Sequence, residues 1–201
     1  MTMKFDELEI AALLTNRTIQ SQVQQLKAQW AFRDLDDGDF FALLLLAPAI
    51  GLAMANGSIS LYEELALNKK ARHFSKGNYF LRKDPIMEGM SKFINNFAQF
   101  EQPSYELLAR VMANALARYP EVALRPAQTE FDPPDFRAVL LNGPYVVVKM
   151  LGALFLNDED LILQPRGISR TEYDKLVIIG QYLGLGNTEI FQAFCQTYTL
   201  P

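Results

Sequence analysis

Apolar positions recur at three- and four-residue steps over most of the chain, which is the period of an amphipathic helix. Between Phe5 and Phe32 they fall at Leu8, Ala11, Ala12 and Leu14, then at Ile19, Val23, Leu26 and Trp30. Thr15-Asn16-Arg17 divides this region into two helices, the second with a Gln-rich solvent face from Gln20 to Gln29. The pattern then changes. Phe40 to Tyr62 contains no charged side chain, and its first part, Phe40 to Ala55, is almost wholly apolar. Pro48 and Gly51 interrupt that run, which also falls short of the roughly 18–20 residues a membrane span requires. The expectation is a buried core helix, no transmembrane span, and a turn at Asn56-Gly57-Ser58.

Beyond the turn, Ser60 and Glu63 stand at capping-box spacing, in which each side chain satisfies a free backbone N–H of the other. This predicts a helix from Leu61 to Phe74 or Ser75, stopping near Gly77. Asp84-Pro85 starts another, with Ile86, Met87, Met90, Phe93, Ile94 and Phe97 on its apolar side. Pro103-Ser104 is expected to begin the next, which runs to about Tyr119 and buries Leu107, Leu108, Val111, Met112, Ala115 and Leu116. Pro120 to Pro134 reads as a long loop. It is the one candidate sub-boundary in what is otherwise a single helical domain, 1–201. Asp132-Pro133-Pro134-Asp135 opens a second apolar region, Phe136 to Leu156, broken at Asn142-Gly143-Pro144. A second box follows at Ser169 and Glu172, before a helix carrying Leu176, Val177, Ile178, Ile179 and Leu183. Gly184 and Gly186 end it, and Asn187 or Thr188 caps a last helix held by Ile190, Phe191, Phe194 and Tyr198. No segment alternates as a strand would, and β-branched Val146 to Val148 belongs to the second buried helix. The fold class is therefore all-α: a compact multi-helix domain of about eight to ten helices. The tract Ile-Ser-x-x-Glu occurs at Ile59 and again at Ile168, each time after an apolar helix, which suggests two helical-hairpin repeats around a shared core.

Composition narrows the chemistry. Half of the 201 residues are apolar and the net charge is −4, so a real core is available and long-range attraction to nucleic acid is not expected. Cys195 is the only cysteine, which excludes an intrachain disulfide, and Met1 to Glu9 is acidic without a signal-type apolar run. A cytoplasmic location is expected. One cysteine and one histidine cannot supply a His/Cys zinc site within one chain. Gly-x-Ser-x-Gly, the phosphate loop and Gly-x-Gly-x-x-Gly do not occur. Cys195 sits on an apolar helical face beside Phe191 and Phe194, as an inert buried thiol would, and His73 reads as a surface residue. Lys69, Lys70, Arg72, Lys76, Arg82 and Lys83, interleaved with Phe74, Tyr79 and Phe80, form the one basic concentration. Such a stretch can bind phosphates or stack on bases; cations at a helix C-terminus are the plainer account. The loop Asp34 to Asp39 fails the register of a calcium loop, because setting Gly38 at the sixth position puts Arg33 first. It reads instead as a solvated turn with a helix cap.

Two acidic sets flank the turns: Glu63 and Glu64 after the first apolar helix, Asp158, Glu159 and Asp160 after the second. Their oxygens suit a hard cation, calcium or magnesium, and equally suit capping and solvation. The run Ala53-Met54-Ala55-Asn56-Gly57-Ser58-Ile59-Ser60, followed by Glu63 or Glu64 and an amphipathic helix, resembles the tellurite-resistance TerB-like family. The likeness covers Phe40 to Phe74, with a fainter echo from Tyr145 to Leu185. It implies divalent-cation binding by acids beside the turn and a role in stress responses near the membrane. This chain carries Asn56 where the family pattern has aspartate, and its second copy has a longer loop, Asn157 to Gly167. With no convergent catalytic set, the leading expectation is a non-enzymatic interaction or adaptor domain without a cofactor, its partner another protein or a second copy. The alternatives are a cation-binding stress domain of TerB-like type, with peripheral membrane contact, and a binder or enzyme enclosing a small apolar ligand between the two apolar helices.

Overall fold

A computed structural model describes residues 12–75, 84–123, 133–155 and 165–201. The first complete helix, α1 (Arg17–Gln29), starts where the sequence breaks: Asn16 Oδ1 accepts from the Thr18 and Ile19 amides at 3.0 and 3.3 Å. At its other end Ala31 takes a left-handed φ of 56°. Lys92 Nζ donates to the Trp30 and Ala31 carbonyls at 2.7 and 2.9 Å, a cation placed where the helix dipole is negative.

The uncharged run forms α2 (Asp37–Leu45), α3 (Ala47–Ala53) and a 3-10 turn, Met54–Asn56. Asp36 caps α2 by accepting from the Asp39 amide at 2.7 Å, so the acidic loop caps a helix, as its failed calcium register implied. The expected single helix is divided at Leu46. Pro48 has no N–H to give the Leu44 carbonyl, the Leu46 amide bonds back only three residues to Leu43, and α3 starts afresh with Pro48 in its first turn. With its acidic first turn included, the stretch is longer than the apolar run alone. Asp37–Asn56 is long and apolar enough to cross a membrane, and 78% of its apolar window is buried inside the protein. Phe40, Phe41, Leu43, Leu44 and Ile50 are fully enclosed. Around them α2 packs on α1, α4 (Leu61–Phe74), α5 (Pro85–Asn95) and α6 (Phe97–Leu116), and α3 packs on α6, α9 (Tyr145–Leu154) and α10 (Arg170–Tyr182).

Capping residues set most of the remaining boundaries. Ser60 with Glu63 and Ser169 with Glu172 form complete capping boxes at the starts of α4 and α10. Asp84 caps α5, and Thr188 caps α11 (Glu189–Cys195). The sequence placed the start of α6 at Pro103, but the helix begins at Phe97 and runs through the proline. Burial of Phe97 and Phe100 on the core side favours continuing it, against a cost of about 3 kcal/mol for an internal proline. The region expected to be a loop starts with one turn, α7 (Pro120–Ala123), and residues 124–132 lie outside the described residues. α8 (Pro133–Asn142) opens on its proline pair, and the Gly143-Pro144 break turns α9 by 110° from it. That apolar helix stops at Leu154, not Leu156. β1 (Arg166–Gly167) and β2 (Tyr198–Thr199) pair in parallel, the one departure from an all-α fold among the described residues.

Candidate functional site

α6 has two working edges. Leu107, Leu108, Val111 and Met112 bury themselves in the core, while Ala109, Ala113 and Ala117, four residues apart, stay at its margin on a neighbouring face. α10 packs against α6, carrying Leu176 and Ile179 inward and leaving Ile178 and Tyr182 outward. Alanines have no reach, so the two helices leave an open groove between their C-terminal halves. Ala109, Ala113, Leu116, Ala117 and Pro120 form one wall, and Gln181, Tyr182, Leu183 and Gly184 the other. Its volume is about 510 Å³.

The Tyr182 ring, 60% exposed, stands at the rim and packs on Tyr105 at 6.0 Å between centroids. Tyr105 itself is buried, and its hydroxyl faces Gly51 of α3 so closely that a Cβ there would lie 2.1 Å from the oxygen. The hydroxyl makes no hydrogen bond of good geometry. Burial, reinforced by the nearby Glu101 charge, holds its pKa far above the ordinary tyrosine value. Glu101 is engaged by Lys175 at 2.6 Å, an ion pair joining α6 to α10 at the end of the contact away from the groove. The groove is lined by carbon, with the Gln181 amide and the Tyr182 hydroxyl as its side-chain polar groups. No lining side chain is an acid, a histidine or a thiol, so the arrangement suits apolar contact and not bond-making.

The residues singled out in the sequence are placed elsewhere. Glu63 Oε2 accepts from the Ser60 amide at 2.8 Å and the Ser60 hydroxyl at 2.5 Å, closing its capping box, with half-buried Glu64 beside it. Asp158, Glu159 and Asp160 lie outside the described residues. Among the described residues no three His, Cys, Asp or Glu side chains converge as metal ligands. The two turns do meet: Ser169 Oγ donates to Asn56 Oδ1 at 3.4 Å. Cys195 is buried and its thiol is pushed up to about 12 by desolvation, while His73 is exposed. Of the basic stretch, Lys69 and Arg72 are exposed and Arg72 pairs with Asp84 at 2.6 Å; Lys76, Arg82 and Lys83 lie outside the described residues. The groove alanines carried no chemical signal in the sequence. What could have marked them is their four-residue spacing, with Arg110 and Arg118 each one position beyond a lining alanine.

No protein-family model matches the chain, and neither a curated protein nor a solved structure matches it significantly.

Proposed function

We propose that the chain is a helical interaction domain that binds a partner protein through the groove between α6 and α10. The observation that supports this reading is the groove itself: an open apolar trough of about 510 Å³ with an alanine-rich wall and an exposed tyrosine. Small residues let a second backbone come close, and tyrosine is among the residue types enriched at interface hot spots. A small-ligand enzyme would need polar groups converging in the trough, and the lining supplies Gln181 and Tyr182 alone. The contact between Asn56 and Ser169, and the matching boxes that follow the two turns, support a duplicated helical hairpin as the scaffold. Glu63 gives the cation reading no help, since its capping oxygen already accepts two hydrogen bonds.

The test is a photo-reactive amino acid at position 182 of the full chain, with Gln20 on α1 as an exposed control site. A discrete cross-linked protein is expected from position 182 alone. Once purified, that protein should bind the wild type and not Ala113→Glu. Equal cross-linking from both sites, or equal binding of both proteins, would overturn the proposal.

A further inference from the structure

The dipeptide Asn-Gly occurs twice, at Asn56-Gly57 and at Asn142-Gly143. It is a reactive pair, because glycine has no Cβ to hold its backbone nitrogen away from the preceding side chain. Both asparagines are exposed, but the two glycines stand in different surroundings. Gly57 is exposed, with a left-handed φ of 95°, and a Cβ built on it would meet nothing within 4 Å. Its amide donates to the Met54 carbonyl at 2.9 Å, closing the 3-10 turn Met54–Asn56. Bonds of this i→i+3 kind have poorer geometry than those of an α-helix, and Asn56 itself is tied to the Ser169 hydroxyl at a long 3.4 Å. Gly143 is hemmed in. A Cβ there would lie 2.8 Å from Ile190 Cδ1, 3.1 Å from the Val139 carbonyl oxygen and 3.3 Å from Val148 Cγ2. α11 and α9, which carry Ile190 and Val148, thus close on the backbone that follows Asn142, and Pro144 restricts Gly143 further.

We infer that Asn56 is a site of spontaneous covalent modification, in which the backbone nitrogen of Gly57 displaces ammonia from the Asn56 side chain, and that the fold protects Asn142 from the same reaction. The Gly57 amide gives its proton to solvent, and its nitrogen bonds to Asn56 Cγ. The bond from Cγ to the side-chain nitrogen breaks, and that nitrogen takes up a proton and leaves as ammonia. A cyclic imide remains. Water then opens the ring at either of its carbonyls, giving aspartate or isoaspartate, so water is the one co-reactant and nothing is oxidised or reduced. The Gly57 amide must first let go of the Met54 carbonyl. In a three-residue turn at the surface that release is a local opening, which leaves the packed helices intact. The product places a carboxylate where the two hairpins meet, opposite Ser169 Oγ. Glu172 is already there, its carboxylate accepting from the Ser169 amide at 2.7 Å. A neutral contact between the hairpins therefore becomes a charged one as the chain ages.

Hydroxylamine cleaves a chain at such an imide and so reports the reaction directly. The folded full chain, incubated with hydroxylamine in mildly alkaline buffer, should be cut after position 56 and not after position 142, as read from the masses of the fragments. The chain unfolded in urea should be cut at both positions, which assigns the protection of Asn142 to the fold and not to its neighbours in sequence. Asn56→Gln, whose longer side chain has to close a larger ring, should lose the first cut while circular dichroism shows its helices unchanged. Without hydroxylamine, peptide mapping of the protein held in the same buffer should show Asn56 gaining one mass unit, at a rate that rises with pH as the Gly57 amide loses its proton more readily. Equal cutting at the two positions in the folded chain, cutting at neither, or a cut at position 56 that survives in Asn56→Gln would overturn the proposal.

Discussion

α4 and α10 open on the same device and end in different surroundings. In each, a serine hydroxyl accepts from the amide three residues on, and a glutamate reaches back to the serine amide, at 2.8 Å in α4 and 2.7 Å in α10. Past the box they part. α4 turns Leu61, Tyr62 and Leu65 to solvent at 74%, 83% and 56% exposure. α10 buries Leu176 and Ile179 completely and brings Gly180 so near Phe191 that a Cβ would sit 2.1 Å from the ring. Capping is a local transaction between neighbours in sequence, whereas the face a helix buries depends on which helices surround it. α10 is held by α3, α6 and α11; α4 packs on α2, α3 and α5, and its buried residues, Leu67, Asn68, Ala71 and Phe74, all lie in its second half.

The contrast breaks first under truncation. Leu176→Ala should cost about 2–5 kcal/mol, as loss of a fully buried leucine does, while Leu65→Ala should stay within about 0.5 kcal/mol, as surface changes do. Urea midpoints measure both, and a similar cost for the two would show that α4 is covered in solution. Next in size is Gly51→Ala, which forces Tyr105 aside; about 1–3 kcal/mol of destabilisation is expected from overpacking. The capping serines come third. Ser60→Ala and Ser169→Ala should each lose about 0.5–2 kcal/mol, with Ser169 at the upper end because it is less exposed and also meets Asn56. Equal losses would mean that the tertiary contact adds nothing to the cap. Smallest of all is Tyr105→Phe. Deleting a buried hydroxyl that lacks a well-formed hydrogen bond should change thermal stability by less than about 1 kcal/mol, and a larger loss would assign the hydroxyl a structural partner.

How much of this was legible follows the same division. Local signals read true: Asn16, Asp84, Thr188 and both boxes start helices where the sequence placed them, and Gly143-Pro144 breaks the second apolar run. Two prolines misled in opposite directions. Pro48 divides a helix expected to be continuous, because it has no N–H for the Leu44 carbonyl and fits the first turn of a new helix. Pro103 lies within a helix it was expected to begin, because the aromatic anchors Phe97 and Phe100 are engaged by α1 and α5 from elsewhere in the chain, with Trp30 stacked on Phe100 at 4.2 Å. The groove was not legible at all. An alanine at helical spacing reads as packing, and whether it becomes floor or core depends on how far the next helix stands from it. Tyr182, likewise, looks the same in sequence whether it is buried or left at a rim.

The parallel clasp at the end of the chain bears on the order in which the molecule can assemble. The Arg166 amide donates to the Thr197 carbonyl at 2.9 Å and the Ile168 amide to the Thr199 carbonyl at 3.0 Å. These bonds tie positions about 30 residues apart, so α10 and α11 sit inside a closed loop whose closure entropy must be met before the clasp contributes anything. A ladder that short cannot nucleate the loop; it can only fasten one already drawn together by Phe191, Phe194 and Tyr198 against the core. On this argument the clasp is expected to form late in folding and to open early in unfolding. Its amides should exchange with solvent deuterium sooner than those of α10, marking where the closed loop around α10 and α11 first opens.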